Sequence, residues 1–403
     1  MLELEKDYDN IILNISDNIS FNKLSENEFI VSNTKNKHYL KINTESYSLL
    51  LLFDGEKTLK EVINCYNAMS GNKIDNSQKF YFFLKSKFFQ FGIFSDKDKY
   101  IKKYEKPQYL KLSFIIFNQK FLNKIVPNLY FLFYKRLGIA IISISLFFLI
   151  VITYINFDVY KKINLSNSIL LFSLLIAISK TLHEIGHATS ASYFGAKHGG
   201  IGGGFYLFTP VYFADVTDIW KLSKTKRIIV NLAGIYFEII FCCLILIFAI
   251  IFKNNLLAVL STIVVSKTIL NLNPFVRSDG YWVVSDLINK PNLFLHSKNK
   301  IFELYRIIRY KKKINWIFID FFMFIYGVFS FSFIFIFLYY ILIKNPNSII
   351  FFPFNIYDFI TGIFSKKSTS IIDVGKLIPP LMFYYLLFIL LKNIFSKYFN
   401  KNS

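Results

Sequence analysis

The sequence is short of the residues that staple or secrete small proteins. Only Cys65, Cys242 and Cys243 occur in 403 residues. They are too few, and too poorly spaced, for a disulfide framework or a CxxC zinc site. Cys242 and Cys243 lie inside an apolar run, where a thiol serves as a small buried hydrophobe. The N-terminus, MLELEKDYDN, is acidic and has no apolar h-region. No cleavable signal is therefore expected; insertion would begin at the first internal span and leave the N-terminal domain in the cytosol. Charge is also scarce: 18% of residues are charged against 54% hydrophobic, and the mean hydropathy is +0.42. That balance excludes an ordinary soluble domain of this length. Acidic residues are outnumbered 26 to 47, giving a net charge of +21. The excess does not describe a nucleic-acid surface. The lysines sit in the N-terminal third and in loops between apolar runs, where they hold segments on the cytoplasmic side and meet anionic lipid.

What is present divides unevenly. Residues 1–100 are mixed and charged, like a small soluble α/β domain. Phe29, Ile30 and Val31, and then Tyr39 to Asn43, have the apolar content of strands, with a polar turn between them. An apolar helical run from Ser46 ends at Asp54 and Gly55. Thr58, with Glu61 three residues on, has the spacing of a capping box, and an amphipathic helix is expected over about 77–91. Residues 101–136 are basic and aromatic, as befits an interfacial linker. From residue 137 onward long apolar runs alternate with basic loops. Six spans are expected, at 137–157, 166–194, 228–252, 256–273, 314–343 and 377–391. The loops holding Lys221, Lys224, Lys226, Arg227, Lys290, Lys298, Lys300, Arg306 and Arg309 are the most basic. With those loops inside, both termini lie in the cytosol. The fold class expected is an α-helical polytopic membrane protein of about six spans, in the cell membrane, with a small N-terminal winged-helix-like α/β domain on the cytoplasmic side.

The chemistry is concentrated in two places. The second apolar run contains His183-Glu184-Ile185-Gly186-His187. Residues four apart share a helix face, so both imidazoles can reach one Zn2+, and Glu184 lies beside them as a general base. His and Glu are costly in hydrocarbon, so an intramembrane cluster of them is read as functional. A catalytic zinc also needs a third protein ligand and an open position. The fourth run ends Asn271-Leu272-Asn273-Pro274-Phe275-Val276-Arg277-Ser278-Asp279-Gly280. Pro274 stops the helix, Gly280 permits a close backbone approach, and Asp279 is either part of an ordinary Asp-Gly turn or placed where a carboxylate could close the site.

Together the two motifs resemble the site-2 protease family of intramembrane zinc metallopeptidases, which pairs HExxH with a later NxxPxxxxDG. Asn271, Pro274, Asp279 and Gly280 match position by position. Ser278 departs from the Leu the family often has before the Asp. The resemblance implies His183, His187 and Asp279 as zinc ligands, Glu184 as the base, and a catalytic core over about 166–285. It also implies a re-entrant or edge-strand element at Gly199 to Pro210, and an Ala-Gly pair, Ala233-Gly234, on a central helix. Gly202, Gly203 and Gly204 would then let a substrate backbone approach an edge, or they are simply flexible; Asn271 is carried along as a further substrate-binding candidate. Residues 29–95, through Tyr39 to Asn43 and Asp54 to Val62, resemble the PqqD-like domain, which binds the leader of a ribosomally made precursor peptide. The whole arrangement resembles the peptide zinc metalloprotease subgroup linked to modified-peptide biosynthesis.

The function expected is a membrane zinc metalloendopeptidase that processes such a precursor or its leader. Its partners would be the peptide or membrane-protein substrate, the bilayer, and a peptide-modifying enzyme or exporter. The alternatives are regulated intramembrane cleavage of a transmembrane regulator, and a non-catalytic export or immunity component that retains zinc. His198 follows the motif by eleven residues and is set aside as a ligand, because Ser190 stands where the soluble metzincin pattern has Gly. Glu238, in the third apolar run, is expected to pair with Lys267 rather than to lie on the substrate path, and Asp215 and Asp218 are expected to lie in an aqueous loop.

Overall fold

The computed structural model describes residues 7–71, 74–95, 97–102, 111–155, 169–206, 209–275, 277–311, 313, 315–364, 377, 379–388 and 390–391. The N-terminal part is built on two small sheets. Strands β1 (Ile12–Asn14), β2 (Ile19–Ser25), β3 (Glu28–Asn33), β4 (His38–Asn43) and β5 (Asp54–Thr58) alternate with helices α1 (Thr44–Leu50), α2 (Leu59–Ser70) and α3 (Ser77–Lys87). β2, β3 and β4 form an antiparallel meander, and β1 pairs with β5. The expected capping box is present: the Thr58 hydroxyl accepts from Glu61 N at 3.3 Å, and Thr58 N donates to Glu61 Oε2 at 2.8 Å. α2 ends at Gly71, whose φ of 67° closes the helix in the left-handed region. The core gathers Leu13, Val31 and Ile42 from the strands with Leu50, Leu59 and Leu84 from the helices and Phe89 and Phe94 beyond them, so this part has a core of its own.

The stretch expected to be only a linker carries structure. β6 (Lys111–Phe117) and α4 (Gln119–Ile125) are followed by a 3-10 segment at Val126–Phe133. β6 joins a third antiparallel sheet with β7 (Ile201–Tyr206) and β8 (Thr209–Ala214), in the order β6-β7-β8. Leu122 and Val126 pack on Ile185, Ala188, Ile201 and Phe237. The segment before the first span is thus part of the core's floor.

The helical part comprises α5 (Lys135–Ile155), α6 (Ile169–Tyr193), α7 (Lys224–Ile251), α8 (Asn255–Leu270), α9 (Asp279–Leu287), α10 (Leu293–Arg309), α11 (Phe318–Tyr339), α12 (Asn347–Ile350) and α13 (Phe352–Phe364). Among the described residues, three helices are reckoned long and apolar enough to cross a bilayer: Lys135–Ile155, Lys224–Ile251 and the run Phe318–Lys344 that continues α11. The other expected spans are weaker. α8 has 16 residues, about 24 Å of helix against a hydrocarbon layer of about 30 Å. The last apolar stretch appears as the short helix Pro379–Phe388. Residues 158–165 and 365–376, from the stretches between expected spans, lie outside the described residues.

α7 is the centre of the helical part. Its buried face runs from Val230 through Ala233, Gly234 and Ile235 to Glu238, Cys242 and Leu246. α6 crosses it at close range because both faces are small there. A Cβ on Gly186 would stand 2.5 Å from the Ala233 carbonyl oxygen. Small residues at such crossings let two backbones touch.

The N-terminal part docks at this core. Lys37 Nζ lies 2.5 Å from Asp215 Oδ2, and Tyr39 donates to Asp218 Oδ1 at 2.9 Å. The loop expected to be purely aqueous is therefore partly enclosed, and Asp218 is buried. Burial works to raise the Asp215 carboxyl, but hydrogen bonds from Lys37 and Thr217 and the Lys37 charge outweigh it and hold Asp215 below its ordinary value.

Candidate metal centre

The HExxH residues lie in the second half of α6, whose first half is apolar. The helical repeat sets His183 and His187 one above the other, with their ring planes at 81° and centroids 4.7 Å apart. The two Nε2 atoms are 3.1 Å apart. Both rings are buried, as is Glu184 beside them. Glu184 lies within electrostatic range of His183, His187, Asp279 and Lys180.

The third group arrives from a broken backbone. α8 stops at Leu270, the chain turns through Asn271 to Ser278, and α9 begins at Asp279. Gly280 N donates to the Asn271 carbonyl at 2.9 Å. A Cβ on Gly280 would fall 2.1 Å from the Leu272 carbonyl oxygen, so this turn closes only around glycine. Tyr326 of α11 donates to the Pro274 carbonyl at 2.6 Å and fixes the outer side of the loop. Asp279 is thereby brought to the histidines: Oδ2 is 3.0 Å from His183 Nε2 and Oδ1 is 3.4 Å from His187 Nε2. One donor atom from each of His183, His187 and Asp279 lies within 4.8 Å of the others. The Asp279 side chain retains 18% exposure against 5% and 10% for the two histidines, so it is the most accessible of the three.

Two features of α7 fit this donor set to a metal. A Cβ at Gly234 would stand 2.6 Å from Nε2 of both histidines; the bare backbone leaves the space beside the donor atoms clear. The outer nitrogens are also backed. His187 Nδ1 is 2.7 Å from the Val230 carbonyl oxygen, and His183 Nδ1 is 3.1 Å from Glu238 Oε2. Two imidazoles and one carboxylate are the ligand types of a three-coordinate protein site with a position left open.

α9 is held to α7 by a second buried cluster. Arg227 Nε lies 2.6 Å from Asp286 Oδ1, Asn231 Nδ2 donates to Asp286 Oδ2 at 2.8 Å, and Arg227 Nη1 donates to the Leu222 carbonyl at 3.0 Å. Asp286 lies two helical turns after Asp279, so both carboxylates face α7.

Several expectations need correction. Gly202, Gly203 and Gly204 do not form an edge. β7 is the central strand: Gly202 pairs with Ile115 on one side and Phe213 on the other, and Gly203 with Phe114 and Tyr212. A Cβ on Gly202 would stand 2.3 Å from the Phe114 carbonyl oxygen and 2.7 Å from the Phe213 ring. Gly202 is needed by the sheet itself, whose outer strands are β6 and β8. Asn271, the other substrate-binding candidate, is half-buried, and its backbone carbonyl holds Gly280. Glu238 pairs with Lys180 at 2.8 Å and with His183, not with Lys267. His198 is buried against the Gly199 carbonyl and is not among the three convergent donors. Sequence reasoning gave no role to Val230 and Lys180 and never linked Glu238 to the histidines. A signal was available: Val230, Gly234 and Glu238 recur every four residues on α7, and one of them is a carboxylate in an apolar run.

Comparison with known proteins agrees at a coarse level. The chain is 31% identical over 106 residues to a Bacillus subtilis (strain 168) protein named "Putative peptide zinc metalloprotease protein YydH". The match covers 26% of this chain and 42% of that protein. The chain thus matches less than half the length of this curated relative, which points to a zinc metalloprotease kinship. No family model and no solved structure matches the chain.

Proposed function

We propose that the chain is a membrane-embedded zinc metalloendopeptidase of the site-2 protease kind. In this reading His183, His187 and Asp279 hold zinc, and residues 137–403 form the peptidase domain. The observation that carries it is the convergence of those three donors, from a helix and a broken turn, beside the buried carboxylate of Glu184. The clear space at Gly234 and the partial likeness to YydH support it.

When bound, zinc would supply Lewis acidity toward a scissile carbonyl and an attacking water. The rest belongs to the chain. Glu184 accepts the proton of the attacking water and returns it to the leaving amine nitrogen. Its burial keeps bulk water from competing for that proton. The substrate class we assign is a ribosomally made peptide precursor or its leader. Residues 1–100 would receive it as a PqqD-like cytoplasmic domain. The contacts Lys37–Asp215 and Tyr39–Asp218 keep that domain against the core, which raises the local concentration of a bound leader. Residues 101–136 would join the two.

The test is to purify the full chain in detergent, without chelator, and measure zinc per chain and cleavage of a co-encoded peptide. Wild type should carry one zinc and cleave. Glu184→Gln should keep the zinc and lose cleavage. Folded wild-type protein without zinc would overturn the reading.

A further inference from the structure

α7 presents three residues to the histidines at successive helical turns: Val230, Gly234 and Glu238. The first offers a carbonyl to His187 Nδ1, the second leaves space beside both Nε2 atoms, and the third places a carboxylate beside His183 Nδ1. Glu238 is fully buried in an apolar helix, a costly position for a carboxylate unless its oxygens are engaged. Oε1 is engaged twice, by Lys180 Nζ at 2.8 Å and by Ser179 Oγ at 3.1 Å. Oε2 and His183 Nδ1 face each other at 3.1 Å, off the line of a good hydrogen bond, and among the described residues neither atom has another polar partner. Leaving either one unpaired would incur its desolvation cost.

From this geometry we infer that Glu238 is a positioning residue for the metal centre: it accepts a hydrogen bond from His183 Nδ1–H, and Lys180 and Ser179 hold it for that purpose. The inference rests on the zinc reading above. Accepting Nδ1–H fixes the ring as the tautomer whose Nε2 lone pair points at the space shared with His187 and Asp279. It also makes that nitrogen a better donor. Lys180 balances the carboxylate charge, so the pair adds little net charge beside Asp279 and Glu184. Ser179, Lys180 and His183 all lie on the same stretch of α6, so one helix supplies both the ligand and the supports of the residue that orients it.

The experiment measures zinc affinity by competition with a chelator, and the visible spectrum of the cobalt-loaded protein. It uses the full chain in detergent as wild type, Glu238→Leu and Glu238→Gln. Leu fills the space but accepts no hydrogen bond; Gln keeps a neutral acceptor. Zinc affinity should fall roughly 10–100-fold in Glu238→Leu and by a smaller but measurable factor in Glu238→Gln, the range seen when partners of metal-bound histidines are removed. The cobalt spectrum of Glu238→Leu should shift at saturating metal, which a merely structural role would not produce. Wild-type affinity and spectrum in a folded Glu238→Leu protein would overturn the inference. If Glu238→Leu does not fold, wild-type values in Glu238→Gln would do the same. Failure of wild type itself to bind zinc would instead overturn the underlying function.

Discussion

Gly280 and Leu272 meet backbone to backbone: a Cβ on the glycine would stand 2.1 Å from the leucine carbonyl oxygen and 2.7 Å from its Cα. Neither atom is the end of a flexible side chain, so a substitution must open the turn that carries Asp279. Gly280→Ala should cost about 1–3 kcal/mol, the range for overpacking a closed site, and should weaken zinc binding as well as lower the unfolding temperature. Thermal unfolding with and without zinc checks this. A variant with wild-type metal content would show that Asp279 does not depend on the turn.

Gly234 separates the metal site from the fold. It lies in the interior of α7, where alanine is the better helix former by about 1 kcal/mol. Yet a Cβ there would come within 2.6 Å of Nε2 on both histidines. Gly234→Ala should therefore leave the helices intact while displacing the rings. Zinc per chain should fall to a small fraction of wild type with circular dichroism unchanged. Full zinc loading in this variant would mean that the two Nε2 atoms do not face the metal.

Asp286 gives the complementary case, a residue remote from the metal that sets the place of a ligand. Arg227 and Asn231 of α7 both bind its carboxylate at 2.6 Å and 2.8 Å. Asp286→Ala would leave the buried Arg227 guanidinium without its counter-charge, a loss of about 3–5 kcal/mol by the usual measure of broken buried pairs. A simultaneous Arg227→Met change should recover part of that stability, since no lone charge would remain. Zinc affinity should stay weak in the double variant, because α9 would no longer be anchored beside α7. Chemical unfolding of the four proteins in the cycle tests the coupling.

Which of these features could be read from the sequence follows from how local they are. The spacing of His183, Glu184 and His187 lies within two turns of one helix, so periodicity alone sets them on one face. The Thr58–Glu61 capping box is equally local. Pro274 and Gly280 mark a broken helix, but an Asp-Gly pair is also a common turn, so Asp279 was singled out as a ligand only through the family resemblance; the closure itself depends on Leu272, which carries no signal. The partner of Glu238 was not legible. Two lysines on neighbouring helices were available in an apolar setting, and only the crossing of α6 and α7, set by Gly186 and Ala233, selects Lys180. The β7 glycines misled for a related reason. A glycine-rich strand suits a backbone approach from any source, and here β6, more than eighty residues earlier in the chain, provides it.

The contact between the two parts of the chain should respond to acid. Asp215 is held below its ordinary value by Lys37 and Thr217 despite burial. A carboxylate depressed in the folded state contributes stability above its unfolded value, about 3.9, and that contribution is lost as pH falls through the lower folded value. Docking should thus be constant from pH 8 down to about 5 and should weaken only below about 4. Both partners are partly exposed, at 43% and 26%, so the effect is small, below about 1 kcal/mol. Hydrogen exchange at residues 33–40 and 215–221 reads it directly. Asp215→Asn should raise exchange at both segments at neutral pH, where the wild-type pair is fully charged, and should abolish the acid response. An acid response of the same size in that variant would assign it to another group. The response matters to the proposed function because the same contact keeps the leader-receiving domain at the core. Peptide cleavage by Asp215→Asn should fall at limiting substrate and recover at saturation.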